Sequence, residues 1–113
     1  MLSKDLFKLH AEVCKTLSNP KRLEILNLLR EGEKSVNDLA KSLNISQANA
    51  SQHLAILRGK GIINSRREGV NIYYGITSPK IIQACDLLRE VLLEQLAEGG
   101  DLVEVAYSGG MTR

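Results

Sequence analysis

A chain of 113 residues makes one domain with room for one modest core. Its 43% hydrophobic and 25% charged residues are ordinary for a soluble globular protein, and no apolar run approaches the length of a membrane span. A net charge of only +2 excludes a uniformly basic protein, so what matters is where the charge sits.

It sits unevenly. From Lys41 to Arg67 there are five basic residues (Lys41, Arg58, Lys60, Arg66, Arg67) and no acid. From Lys80 to Glu104, Lys80 and Arg89 face six acids (Asp86, Glu90, Glu94, Glu98, Asp101, Glu104), which leaves −4. A basic middle and an acidic end point to a polyanion meeting the middle, against the blander reading of a solvated face charged by chance. The N-terminal MLSKDLFKLHAEV is charged and amphipathic and lacks a signal peptide's apolar block, so a cytoplasmic protein is expected. Cys14 and Cys85 form neither a disulfide framework nor a zinc-finger spacing.

Taken in chain order, Ser3 caps a first helix over about residues 4–17, with Leu6, Leu9, Val13 and Leu17 as its apolar stripe. Asn19-Pro20 starts a second helix, Asn as N-cap and Pro at the first helical position. Leu23 and Leu26 lie on its apolar side with Leu29 on a flank, and it stops near Glu31-Gly32. Ser35 with Asp38 resembles a capping box opening a short third helix that ends near Leu43. After the turn at Asn44-Ile45, Ser46 caps a fourth helix that runs to about Lys60 and ends at Gly61. Ile62–Arg67 and Asn71–Ile76 read as two strands around Glu68-Gly69-Val70. Ser78-Pro79 opens a last helix to about Ala97, closed by Gly99-Gly100. Leu102–Tyr107 in the tail reads as a strand or a docked extension. The order α-α-α-α-β-β-α predicts a mainly α fold with a β-hairpin wing: one winged helix-turn-helix domain over residues 1–113, with additional helices at both ends and a tail from residue 99.

The fourth helix carries the chemistry. Ala50, Leu54 and Leu57 share its apolar side. The opposite side holds Ala48, Gln52, Ala55 and Gly59, flanked by Asn49 and Ser51, with no Glu or Lys between Ser46 and Leu57. Small residues allow close approach to bases, Gln and Asn bond bidentately to adenine, and an Ala methyl touches a thymine methyl. Ser46 and Gln47 stand at the helix N-terminus, where backbone N–H groups favour phosphate. Arg66 and Arg67 on the hairpin reach for phosphate or the minor groove, and Asn71 adds a polar contact. His53, at the edge of the buried side, reads either as a phosphate contact or as a structural histidine. The predicted DNA surface is therefore Ser46, Gln47, Ala48, Asn49, Ser51, Gln52, His53, Arg66, Arg67 and Asn71.

The segments TLSNPKRLEILNLL, SVNDLAKSLNISQANASQHLAILRGKGII and RREGVNIYY, in that order, resemble the ArsR/SmtB family of small bacterial and archaeal repressors over about residues 11–77. The resemblance implies a homodimer built largely from first and last helices (here about residues 1–18 and 78–98), bound to a near-palindromic operator. Release on sensing a metal or another signal is the family's usual mode. The wing departs from the pattern, because many members carry Arg just after the wing glycine and this chain has Val70.

The family's known sensing sites are not reproduced. The arsenic and cadmium sensors place a Cys-x-Cys pair in the third helix, where this chain has Ser35 and Asn37. The zinc sensors use His along the last helix, and none occurs from Ser78 to Ala97. The second-helix cysteine of persulfide sensors corresponds to Asn27. Cys14 and Cys85 remain, as small buried hydrophobes, as a dithiol switch, or as ligands of a thiophilic metal. The metal version adds His10, which is i, i+4 to Cys14 on one helix face and completes a Cys2His set for zinc or a similar ion.

Apolar residues surround much of the last helix (Ile81, Ile82, Ala84, Cys85, Leu87, Leu88, Val91, Leu92, Leu93, Leu96), more than so small a core covers, and this predicts a dimer interface. A homodimeric repressor of operator DNA is the leading reading. A winged-helix module that docks on protein, and a DNA-binding protein that senses nothing, are the alternatives. An enzyme is not expected, since no nucleophile–base pair, phosphate loop or carboxylate pair stands out.

Overall fold

Each helix starts where a side chain satisfies an otherwise orphaned backbone N–H. In the computed structural model, which describes residues 3–99, α1 spans Lys4–Leu17 and Ser3 Oγ accepts from the Leu6 N–H at 3.2 Å. The second helix, α2, spans Pro20–Leu29, with Asn19 Oδ1 accepting from Arg22 N–H at 3.1 Å. Next, α3 (Val36–Leu43) is capped by Ser35, whose Oγ accepts from Asp38 N–H at 3.1 Å. Finally α4 (Gln47–Gly59) is capped by Ser46, accepting from Asn49 N–H at 3.1 Å. The turn between α3 and α4 rests on Asn44, which adopts the left-handed φ of 55° that Asn tolerates better than most residues.

Three strands accompany the helices. A two-residue strand, β1 (Lys34–Ser35), precedes α3; β2 (Ile63–Glu68) and β3 (Asn71–Ile76) form the hairpin. The sheet is antiparallel in the order β1-β3-β2. The hairpin register runs from Ile63 opposite Ile76 to Glu68 opposite Asn71, so the turn is Gly69-Val70 alone. Gly69 takes φ +63° while Val70 stays out of that region, which is why glycine fills the first central position. The expected hairpin is present with its second strand as read and its first strand shifted one residue toward the turn, from Ile62–Arg67 to Ile63–Glu68. The strand β1 was not anticipated: its partner is Tyr73-Tyr74 of β3.

The core joins Ile25, Leu26 and Leu29 of α2, Leu39, Ala40 and Leu43 of α3, Ala50, Leu54 and Leu57 of α4, and Ile62 and Ile63 at the root of the hairpin. The expected inner side of α4 is therefore buried. On α2 the fully buried partner of Leu26 is Ile25, and Leu23 is only half-buried, which shifts the inner side from the one read in the sequence. Only Thr16 of α1 is buried, and Leu6, Phe7 and Leu9 of that helix are exposed.

By packing the chain divides into two units, one ending at Pro79 and one beginning at Lys80. The helix α5 (Pro79–Gly99), which lies in the second unit from Lys80 on, has no buried residue. Its Leu87, Leu88, Val91, Leu92 and Leu93 are 38–63% exposed. Leu102–Tyr107, predicted as strand or docked extension, lie outside the described residues. Among the described residues no helix is long and apolar enough to cross a membrane.

Candidate nucleic-acid interface

With Ala50, Leu54 and Leu57 turned inward, α4 presents Gln47, Ala48, Asn49, Ser51, Gln52 and Ala55 to solvent. Ser46 consumes the Asn49 N–H, which leaves the N–H groups of Gln47 and Ala48 at an exposed positive helix end. The Gln47 Nε2 amide donates to Asn37 Oδ1 on α3 at 2.9 Å. Sequence reading took Asn37 only as a lost cysteine position; nothing local signals that it meets Gln47, ten residues on.

The two wing arginines have different fates. Adjacent strand residues point to opposite faces, so Arg66 shares a face with Asn64 and Glu68, and Arg67 with Ser65. Arg66 Nη1 donates to Glu68 Oε2 at 2.6 Å and Nε donates to Glu33 Oε1 at 2.7 Å. Its guanidinium stands 4.9 Å from the Tyr73 ring centre, a cation–π contact. The hydrogen bond Arg66 donates to Glu68, then the one it donates to Glu33, holds Arg66 still more firmly in its charged form. Its charge is thus already compensated inside the protein. Arg67 is exposed and forms no ion pair among the described residues. On its side of the hairpin, Arg58 of α4 donates from Nη1 to Ser65 Oγ at 3.1 Å, a cation that sequence reading counted in the charge but not in the site. Asn71 is exposed beside the turn, opposite Glu68, and Val70 at the tip is 93% exposed.

His53 is half-buried and its Nδ1 accepts from Arg22 Nε at 3.3 Å, while Arg22 Nη1 donates to the Thr16 carbonyl at 3.0 Å. The arginine thereby ties the end of α1 to the middle of α4. Burial first, and the Arg22 charge second, push the imidazole pKa down. Of the two roles read for His53 in the sequence, this geometry supports the structural one.

His10 and Cys14 lie on exposed turns of α1, and Cys85 is half-buried on α5; both cysteines are free thiols. Among the described residues no group of three His, Cys, Asp or Glu side chains gathers to hold a metal. His10 and Cys14 offer two donors from one helix, short of the three or four that zinc takes.

A short three-stranded sheet, a helix-turn-helix and an acid-free exposed face on its second helix define a winged helix-turn-helix DNA-binding protein. The family described as "Bacterial regulatory protein, arsR family" matches residues 19–65. The uncharacterized HTH-type transcriptional regulator Rv0081 of Mycobacterium tuberculosis is 38% identical over 111 residues, covering 97% of each chain. The crystal structure of that protein superposes with a TM-score of 0.76 over 85% of this chain and 97% of the other. The solution structure of Mb0332 from Mycobacterium bovis, described as a homodimeric winged helix-turn-helix DNA-binding domain, gives a TM-score of 0.77 at 33% identity, covering 86% and 93% of the two chains. The biofilm growth-associated repressor of Xylella fastidiosa is 39% identical over 75% of each chain. The chain belongs to the ArsR family of bacterial regulatory proteins and is a transcriptional regulator, not an enzyme.

Proposed function

We propose that this protein is a homodimeric repressor that reads a near-palindromic operator with α4 and leaves it in response to a signal. The observation that carries the reading is the exposed face of α4: amide, hydroxyl and methyl groups with no acid, together with a wing arginine, Arg67, that forms no ion pair among the described residues. Homodimerisation is supported by the apolar residues that α1 and α5 leave exposed, and by the homodimeric description of Mb0332. Two-fold symmetry places two reading helices about one DNA turn apart, on half-sites related by the same symmetry.

The signal belongs to thiol chemistry or to a thiophilic ion such as zinc, at Cys14 and Cys85. Cys14 is exposed in the single chain, on the helix proposed to join the two protomers. Binding to the DNA upstream of its own gene, with reduced and mildly oxidised protein in parallel, tests both layers. Tight binding lost on oxidation and restored by reductant supports the thiol switch. Tight binding in both states keeps the repressor and removes the redox signal. Binding without sequence preference, or none, favours a protein-docking module instead.

A further inference from the structure

Asn37 lies on α3, outside the surface read from the sequence, yet it holds the first residue of the reading helix. The Gln47 Nε2 amide donates to Asn37 Oδ1 at 2.9 Å. Both side chains are exposed, so the bond adds little to the core; its effect falls on where the Gln47 amide is aimed. We infer that Asn37 is a positioning residue for base reading, holding Gln47 so that this side chain discriminates one base pair in each half-site. The inference rests on the DNA-reading role of α4 proposed above.

A free glutamine side chain samples many rotamers, and ordering it on DNA costs conformational entropy. A hydrogen bond already made in the unbound protein removes part of that cost, so more of the interaction appears as discrimination. The bond also distinguishes the two ends of the amide. With one Nε2 hydrogen given to Asn37, the remaining N–H and the Oε1 atom form a donor–acceptor pair, the pattern that matches N7 and N6 of adenine. The support is rigid, because α3 and α4 bury Leu39, Leu43, Ala50 and Leu54 in the same core.

The test is selection of binding sites from a randomised duplex library by the full chain, followed by titration of every single-base variant of the recovered site. Gln47→Ala and Asn37→Ala are expected to lose preference at the same base pair, from about 10-fold to about 2-fold, without changing affinity for unrelated DNA. Asn37→Asp keeps the acceptor and cannot donate. It retains the preference at that base pair while its added charge weakens binding to all sequences alike. Unchanged thermal melting of the variants by circular dichroism keeps folding out of the comparison. If Asn37→Ala leaves every preference intact while Gln47→Ala erases one, Gln47 aims itself: the inference fails and DNA reading stands. Loss of the preference in Asn37→Asp overturns the acceptor role of Asn37. A uniform loss of affinity in Asn37→Ala, with preferences unchanged, overturns it as well. Failure of the wild-type chain to enrich any site overturns the DNA reading and the inference together.

Discussion

Arg66 and Arg67 adjoin in the chain and differ in surroundings, and salt titration separates them. Arg66 is held by two carboxylates at 2.6 and 2.7 Å, whereas Arg67 on the opposite face has no ion pair among the described residues. Arg66→Ala and Arg67→Ala each remove one positive charge per protomer, so the long-range field weakens equally in both. A lost phosphate contact acts differently, lowering the slope of log affinity against log salt by about 0.9. For a dimer bound through two wings, Arg67→Ala removes two contacts and about 1.8 from the slope. Between about 50 and about 200 mM salt, the affinities of variant and wild type then converge about 12-fold. Arg66→Ala is expected to converge by less than about 3-fold over the same range, because no phosphate contact is lost. Fluorescence anisotropy with an operator duplex across that series reads both numbers. Equal flattening by the two variants refutes the reasoning: it means that DNA draws Arg66 away from Glu33 and Glu68.

Val70→Arg adds a cation at a fully solvated wing tip, and the same titration should steepen by about one phosphate per protomer; an unchanged slope places the tip away from DNA. Leu92→Glu puts a charge on an exposed apolar residue of α5. Sedimentation should then find monomers with operator affinity lowered at least about 100-fold, and a fully dimeric variant removes α5 from the interface. Because the His53 pKa is lowered in the folded protein from an ordinary 6.5, the unfolded chain takes up the proton first as pH falls. The stability that His53 contributes is therefore present above about pH 6.5 and lost as pH drops through the folded value. His53→Asn keeps an acceptor near the Nδ1 position and does not titrate, so its melting temperature should fall less than that of the wild type between pH 7.5 and 5.5. Parallel curves for the two proteins count against the lowered His53 pKa, and so against its burial beside Arg22.

What was legible in the sequence was local. Ser3, Asn19, Ser35 and Ser46 each announce a helix start, because a cap is a bond between residues three apart. Gly69 announces the hairpin for a similar reason, and the inner side of α4 follows from its own periodicity. What escaped were relations between distant residues. The strand β1 is too short to show alternation and exists only because Tyr73 and Tyr74 offer an edge to pair with. Apolar residues cover more than half of the circumference of α2, and the sequence reading took Leu23 rather than Ile25 as the inward partner of Leu26. The two wing arginines look equivalent until Glu33, 33 residues upstream, is seen to meet only one of them. Asn37 and Arg22 matter for the same kind of reason, through single bonds to α4.

The order of the strands also governs how the unbound protein behaves when concentrated. β2 is the outer strand of the sheet, and an open strand edge is a template on which another hairpin can pair. Arg66, Arg67 and Glu68 place charge on both faces of that edge, and burying them in a flat edge-to-edge contact carries a desolvation cost. The charges on this edge oppose pairing of free chains, separately from the phosphate contact proposed for Arg67. A variant such as Arg67→Val, made to test the proposed phosphate contact, also removes one of these edge charges, so its operator binding is compared at equal concentrations of soluble protein.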